Sequence, residues 1–151
     1  MFQSARLVAA VAELGSLGRT TRMSQEEAFV RAFIVPHKQA RYLDQLASRK
    51  ARDYFLNRLN HALDYDAAFA IRVPPSQQTA ASIETLLRKR GAPDTCHTIS
   101  SLAEWDGRDL PLREALDLVV GFSIGTVLCC VPGRLAYYES EDMSERYILT
   151  R

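Results

Sequence analysis

Apolar positions recur at helical spacing through the first half of the chain and alternate between helical and strand spacing through the second. Ser24 and Glu27 have the Ser-x-x-Glu spacing of a capping box. Ala28, Phe29, Ala32 and Phe33 then follow the helical period, and Val30 and Ile34 widen the stripe. Pro36 ends this helix, because proline lacks the N–H for the next bond and disfavours a helical residue before it. A second helix is expected from about His37 to Ala47, with Ala40, Leu43, Leu46 and Ala47 on one side. Ser48 either caps a third helix that buries Phe55, Leu59, Ala62 and Leu63, or lies within one long helix.

Residues Ala67 to Val73 read as a short strand stopped by Pro74-Pro75. A helix follows with Thr79 near its N-cap and a stripe of Ile83, Leu86 and Leu87. Its last turn carries Arg88, Lys89 and Arg90 against the negative end of the helix dipole, and Gly91 is placed to close it. Thr95 to Ser100 is expected to be a strand, Asp106-Gly107 a turn, and Pro111 the first position of a helix ending at Gly121.

The most apolar stretch, Leu118 to Val131, runs 14 residues without a charge. That is short of the roughly 20 residues a membrane helix requires, so no membrane partner is expected. It reads instead as a helix end, a strand from Ser123 to Val131, a Pro132-Gly133 turn and a returning strand from Arg134 to Glu139, with Arg146 to Thr150 as one more strand. Ile124, Thr126, Leu128 and Cys130 would share one face of the first strand, and Gly125, Val127, Cys129 and Val131 the other. Neither face is charged, which predicts a central strand covered on both sides. The expected fold is α+β: one compact domain whose helical N-terminal half packs on a mostly antiparallel sheet of about four or five strands, with a C-terminal β-hairpin.

Composition adds two points. At 151 residues one core is the default, and residues 1–22, with three arginines and one acid, read as an N-terminal extension before a domain spanning 23–151: either a non-native start or poorly ordered stretch of no functional weight, or a targeting-like segment or a helix that packs on the domain. The net charge of +1 hides an asymmetry: residues 1–90 carry 14 Lys/Arg against 8 Asp/Glu, and residues 91–151 carry 5 against 10. A basic face for an anionic partner is one source of such a split; two solvated faces that attract each other within the fold are another. Three cysteines make no disulfide framework, and Cys129 and Cys130 on one strand point apart, so a reducing cytoplasm is the expected compartment.

The candidate chemistry follows from these elements. From His37 to Arg58 the cations Lys38, Arg41, Arg49, Lys50, Arg52 and Arg58 outnumber Asp44 and Asp53, with Tyr42 and Tyr54 interleaved. Such helices can hold phosphates or another anion, so nucleic acid is one partner class beside an unidentified protein or a second copy of this chain. A catalytic cleft, of hydrolase or phosphoryl-transfer type, would draw on Cys96, His97, His61, Asp64 and Asp66. Ser76, Gln77, Gln78 and Thr79 form a polar loop able to serve as a ligand lip. No metal is expected, because adjacent cysteines on a strand cannot reach one ion. No cofactor is implied either: the glycines of residues 121–125 lack the lysine and the strand-to-helix setting of a phosphate loop. The leading expectation is a small binding or accessory protein acting through its surface.

Overall fold

The computed structural model describes residues 25–151. The expected extension over 1–22 and the Ser24 cap lie outside these residues. In chain order the elements are α1 (residues 25–33), α2 (Gln39–Ala47), α3 (Arg52–His61), β1 (Ala70–Arg72), α4 (Ala80–Lys89), β2 (Thr95–Ser100), β3 (Asp109–Pro111), α5 (Leu112–Val119), β4 (Thr126–Val131), β5 (Leu135–Glu139) and β6 (Arg146–Thr150). All strands pair antiparallel in one sheet of order β1-β6-β5-β4-β2-β3. The α+β class and the single fold are as expected, with six strands among the described residues rather than four or five. The additional strand is β3. Its Pro111, read from sequence as a helix start, pairs with Thr95 at the sheet edge, where a missing N–H breaks no interior ladder bond.

Helices cover both faces. Phe29, Phe33, Phe55 and Leu59 from α1 and α3 pack with Ile99, Val127, Cys129 and Tyr138 in one core. Ile83, Leu87, Leu112 and Leu116 from α4 and α5 pack with Cys96, Leu128, Cys130 and Tyr137 in the other. Cys129 and Cys130 therefore face opposite layers, as alternation on a buried strand requires. Val131 does not continue the alternation. The register between β4 and β5 shifts between Cys129 and Val131, so Val131 packs on the same side as Cys130.

The helical half breaks at Ser48, whose backbone is extended and whose hydroxyl accepts from the Ala51 N–H at 3.2 Å. This sets α3 as a separate helix. Its C-terminal end docks over the start of β4: the Leu59 carbonyl accepts from the Tyr138 hydroxyl at 2.6 Å, and Asn60 Oδ1 accepts from the Gly125 N–H and the Ser101 hydroxyl, each at 2.9 Å. The approach is close enough to require glycine at 125, since a Cβ there would lie 2.6 Å from the Leu59 carbonyl oxygen and 2.5 Å from the Asn60 nitrogen. Among the described residues no helix is long and apolar enough to cross a membrane.

Candidate functional site

Two polar regions flank α3. The first is a groove between α2 and α3. Tyr54, Asn57, Arg58 and His61 fall at i, i+3, i+4 and i+7, so they line one side of α3 one above another. Arg41 and Gln45, at i and i+4 of α2, face them, and together these side chains enclose about 330 Å³. Lys38 extends the cationic wall into a smaller depression that also holds Arg41, Tyr42, Arg58 and Asp64.

Asp64 is the anchor of that end. It accepts from the Tyr42 hydroxyl at 2.7 Å, and Lys38 Nζ and Arg58 Nη1 lie 3.6 and 3.9 Å from it. One carboxylate thus stands against two cations that already share it. Burial and the bond to Asp64 push the Tyr42 phenol up to about 12, which keeps it a neutral donor. Arg41 is exposed and makes no hydrogen bond or ion pair among the described residues, so the groove carries uncompensated positive charge. At its far end His61 lies 3.4 Å from Glu141 and is open to solvent.

The second region is a partly buried chain of ion pairs beneath α1, closed over His97 and open at Asp109. His97, only 1% exposed, meets Asp109 Oδ1 at 2.7 Å through Nδ1 and Glu26 Oε2 at 2.9 Å through Nε2. A carboxylate at each ring nitrogen requires both to carry protons, so His97 is an imidazolium. Burial opposes that charge, but the bonds to Glu26 and Asp109 outweigh it and the His97 pKa is raised. Glu26 also takes the Arg52 guanidinium on both oxygens, at 2.7 and 3.0 Å. Arg52 in turn grips Asp106 at 3.0 Å through two nitrogens. Burial raises the Glu26 pKa, yet His97 and Arg52 more than reverse this and hold it at about 2. The network ties α1, α3, β2, β3 and the turn at Asp106 to one another. Every charge in it faces an opposite charge.

The six cations singled out from the sequence therefore separate. Lys38, Arg41 and Arg58 share the α2–α3 groove. Arg52 is committed to Glu26 and Asp106. Arg49 lies with Arg31 along a different groove between α1 and α2, floored by Leu43, Leu46 and Ala47, and Lys50 stands exposed in the turn before α3.

The residues expected for a catalytic cleft are not brought together. Cys96 and His97 are neighbours on β2, so Cys96 points into the α4–α5 core while His97 joins the ion network on the other face. Burial raises the Cys96 thiol to about 12, far from a reactive thiolate. Asp66 caps the turn after it through the Ala68 N–H, and Asp64 and His61 belong to the groove. In the polar loop, Ser76 and Gln77 are exposed, while Gln78 bridges the Val73 carbonyl and Arg146, and Thr79 caps α4 through the Ser82 N–H. Among the described residues no three His, Cys, Asp or Glu side chains gather into a metal-holding group.

Sequence reasoning missed Glu26, Asp106 and Asp109 as partners of His97 and Arg52, and Asn57 as a groove residue. The spacing from Tyr54 to His61 carried a signal for the groove, since it marks a polar stripe opposite buried Phe55 and Leu59. No family model, curated protein or solved structure matches this chain.

Proposed function

We propose that this chain is a binding protein that holds an anionic group in the α2–α3 groove. The observation that carries this reading is Arg41, an exposed guanidinium with no partner of its own among the described residues, facing Arg58 across a groove that Lys38 extends. Guanidinium and amide groups converging on one concavity suit an oxyanion with several acceptor oxygens. Reversible capture through the surface requires no nucleophile, which fits the dispersal of Cys96, His97, Asp64 and Asp66 over separate places in the fold. The enzyme reading has no comparable observation behind it. We further place the protein in a reducing compartment such as the cytoplasm, a reading supported by its three free, buried cysteines.

The test uses inorganic polyphosphate, a polyanion with no other recognition features. Binding measured by calorimetry should weaken steeply between about 50 and 200 mM salt, as counterion release dictates. The double variant Arg41→Ala/Arg58→Ala should lose it, and Arg113→Ala, on α5 of the opposite layer, should keep it. Equal affinity in both variants would refute the groove as the site.

A further inference from the structure

On α3, Tyr54 stands between two different grooves. It is 71% exposed, and among the described residues its side chain makes no hydrogen bond or ring contact, which leaves the ring face open. On one side lies the cationic groove of Arg41, Asn57, Arg58 and His61. On the other lies a second groove of about 420 Å³, lined by Asp53, Leu56, Asn57, Asn60 and Ser101, with no cation among its described residues. Tyr54 and Asn57 belong to both. Neither Asp53 nor Asn57 has a side-chain partner among the described residues, so their acceptors and donors remain available.

We propose that these two grooves form one site for a nucleotide unit: phosphate on the Arg41–Arg58 side, base against the Tyr54 ring, and base edge toward Asn57 and Asp53. The proposal rests on the anion-binding reading above and gives the anion a chemical class. Each part of the site matches a different part of that ligand. Phosphate oxygens need the cations. A flat base gains π-stacking from an exposed aromatic ring, a contact that the charged groups of the ligand cannot supply. Asp53 would repel a phosphate, so it fixes the direction of binding. As a pure acceptor it favours bases bearing an exocyclic amine, cytosine among them. Each groove is at the low end of the roughly 300–1,000 Å³ of small-ligand sites, a size for one nucleotide rather than a duplex.

A free nucleotide and a single strand share this chemistry. The experiment therefore uses three probes on the full chain: a cytosine dodecamer, an abasic dodecamer of equal charge, and cytidine monophosphate as competitor. The cytosine strand should bind about tenfold tighter than the abasic strand, the scale of one stacked base. Tyr54→Ala should abolish that difference without changing the melting temperature, and Tyr54→Phe should retain it. Competition by the mononucleotide at concentrations near the strand's own dissociation constant assigns a free nucleotide; competition only in large excess assigns a strand. If cytosine and abasic strands bind equally, or Tyr54→Ala leaves their ratio intact, the nucleotide site is wrong while the anion groove stands. If neither strand binds, the anion reading itself falls.

Discussion

Arg52 and Arg58 sit six positions apart on the same helix and have opposite fates. At 3.6 residues per turn, six positions correspond to about 120° around the axis, enough to put one side chain under α1 and the other in the groove. Arg52 is enclosed by Glu26 and Asp106, whereas Arg58 has only a shared carboxylate at 3.9 Å. The lesson is that a run of positive charge along a sequence has no single meaning. Where a cation's helical phase turns it toward acids from distant elements, it becomes a structural tie. Where the phase turns it outward beside other cations, it remains available to a ligand.

The contrast depends on α3 being seated, so the largest effect should come from removing its seat. Gly125→Ala places a methyl against the Leu59–Asn60 backbone, and neither backbone can yield without lifting the helix. The expected loss exceeds about 4 kcal/mol by chemical denaturation, the range reserved for backbone collisions and unpaired buried charge. Arg52→Ala comes next. It leaves Asp106 without a cation and Glu26 with His97 alone in a partly closed site, and removing one member of such an ion pair costs about 3 kcal/mol. Thermal melting should fall by roughly 6–12 °C, at the 2–4 °C per kcal/mol expected of a chain this size.

The network should also set the pH dependence of stability. His97 has a raised pKa in the fold, so its contribution is fully present below the unfolded value of about 6.5 and disappears as pH rises through the higher folded value. Glu26 is lowered from 4.5 to about 2, so its contribution is present above 4.5 and is lost as pH falls toward 2. Denaturation midpoints followed across pH should decline at both limbs. His97→Gln should flatten the alkaline decline relative to wild type and also weaken the acid one, because His97 is one of the two groups that hold Glu26 low; an unchanged alkaline limb would separate His97 from it. The smallest effect belongs to the groove. Arg58→Ala should alter stability by less than about 0.5 kcal/mol while weakening polyphosphate binding, the inverse of Arg52→Ala. Were the two variants alike in stability, the division between tie and ligand cation would collapse.

Legibility in the sequence followed the range of the interaction. Helix α4 was readable end to end because its signals are local: Thr79 caps it, Arg88 and Lys89 fill its last turn, and Gly91 follows with φ of 97°. The central strand was readable because a fully apolar run has few alternatives. β3 was not, since three residues ending in proline resemble a helix entry as much as a strand. The partners of His97 lie 71 residues upstream and 12 downstream, and nothing near His97 specifies either. Lys38, Arg41 and Arg58 were recognisable as cations. That they meet around Asp64, while Arg52 does not, is decided by how α2 folds back on α3 after the break at Ser48.

The strand order also carries a message about synthesis. β1, at residues 70–72, touches the sheet only through β6, at residues 146–150. A nascent chain that has released β1 must keep it unpaired until more than seventy further residues have emerged, while β2, β4 and β5 can already zip together by shorter closures. Its single exposed apolar side chain, Ile71, and its length of only three residues make that wait tolerable. β1 should therefore be the last strand to acquire protection from hydrogen exchange during folding.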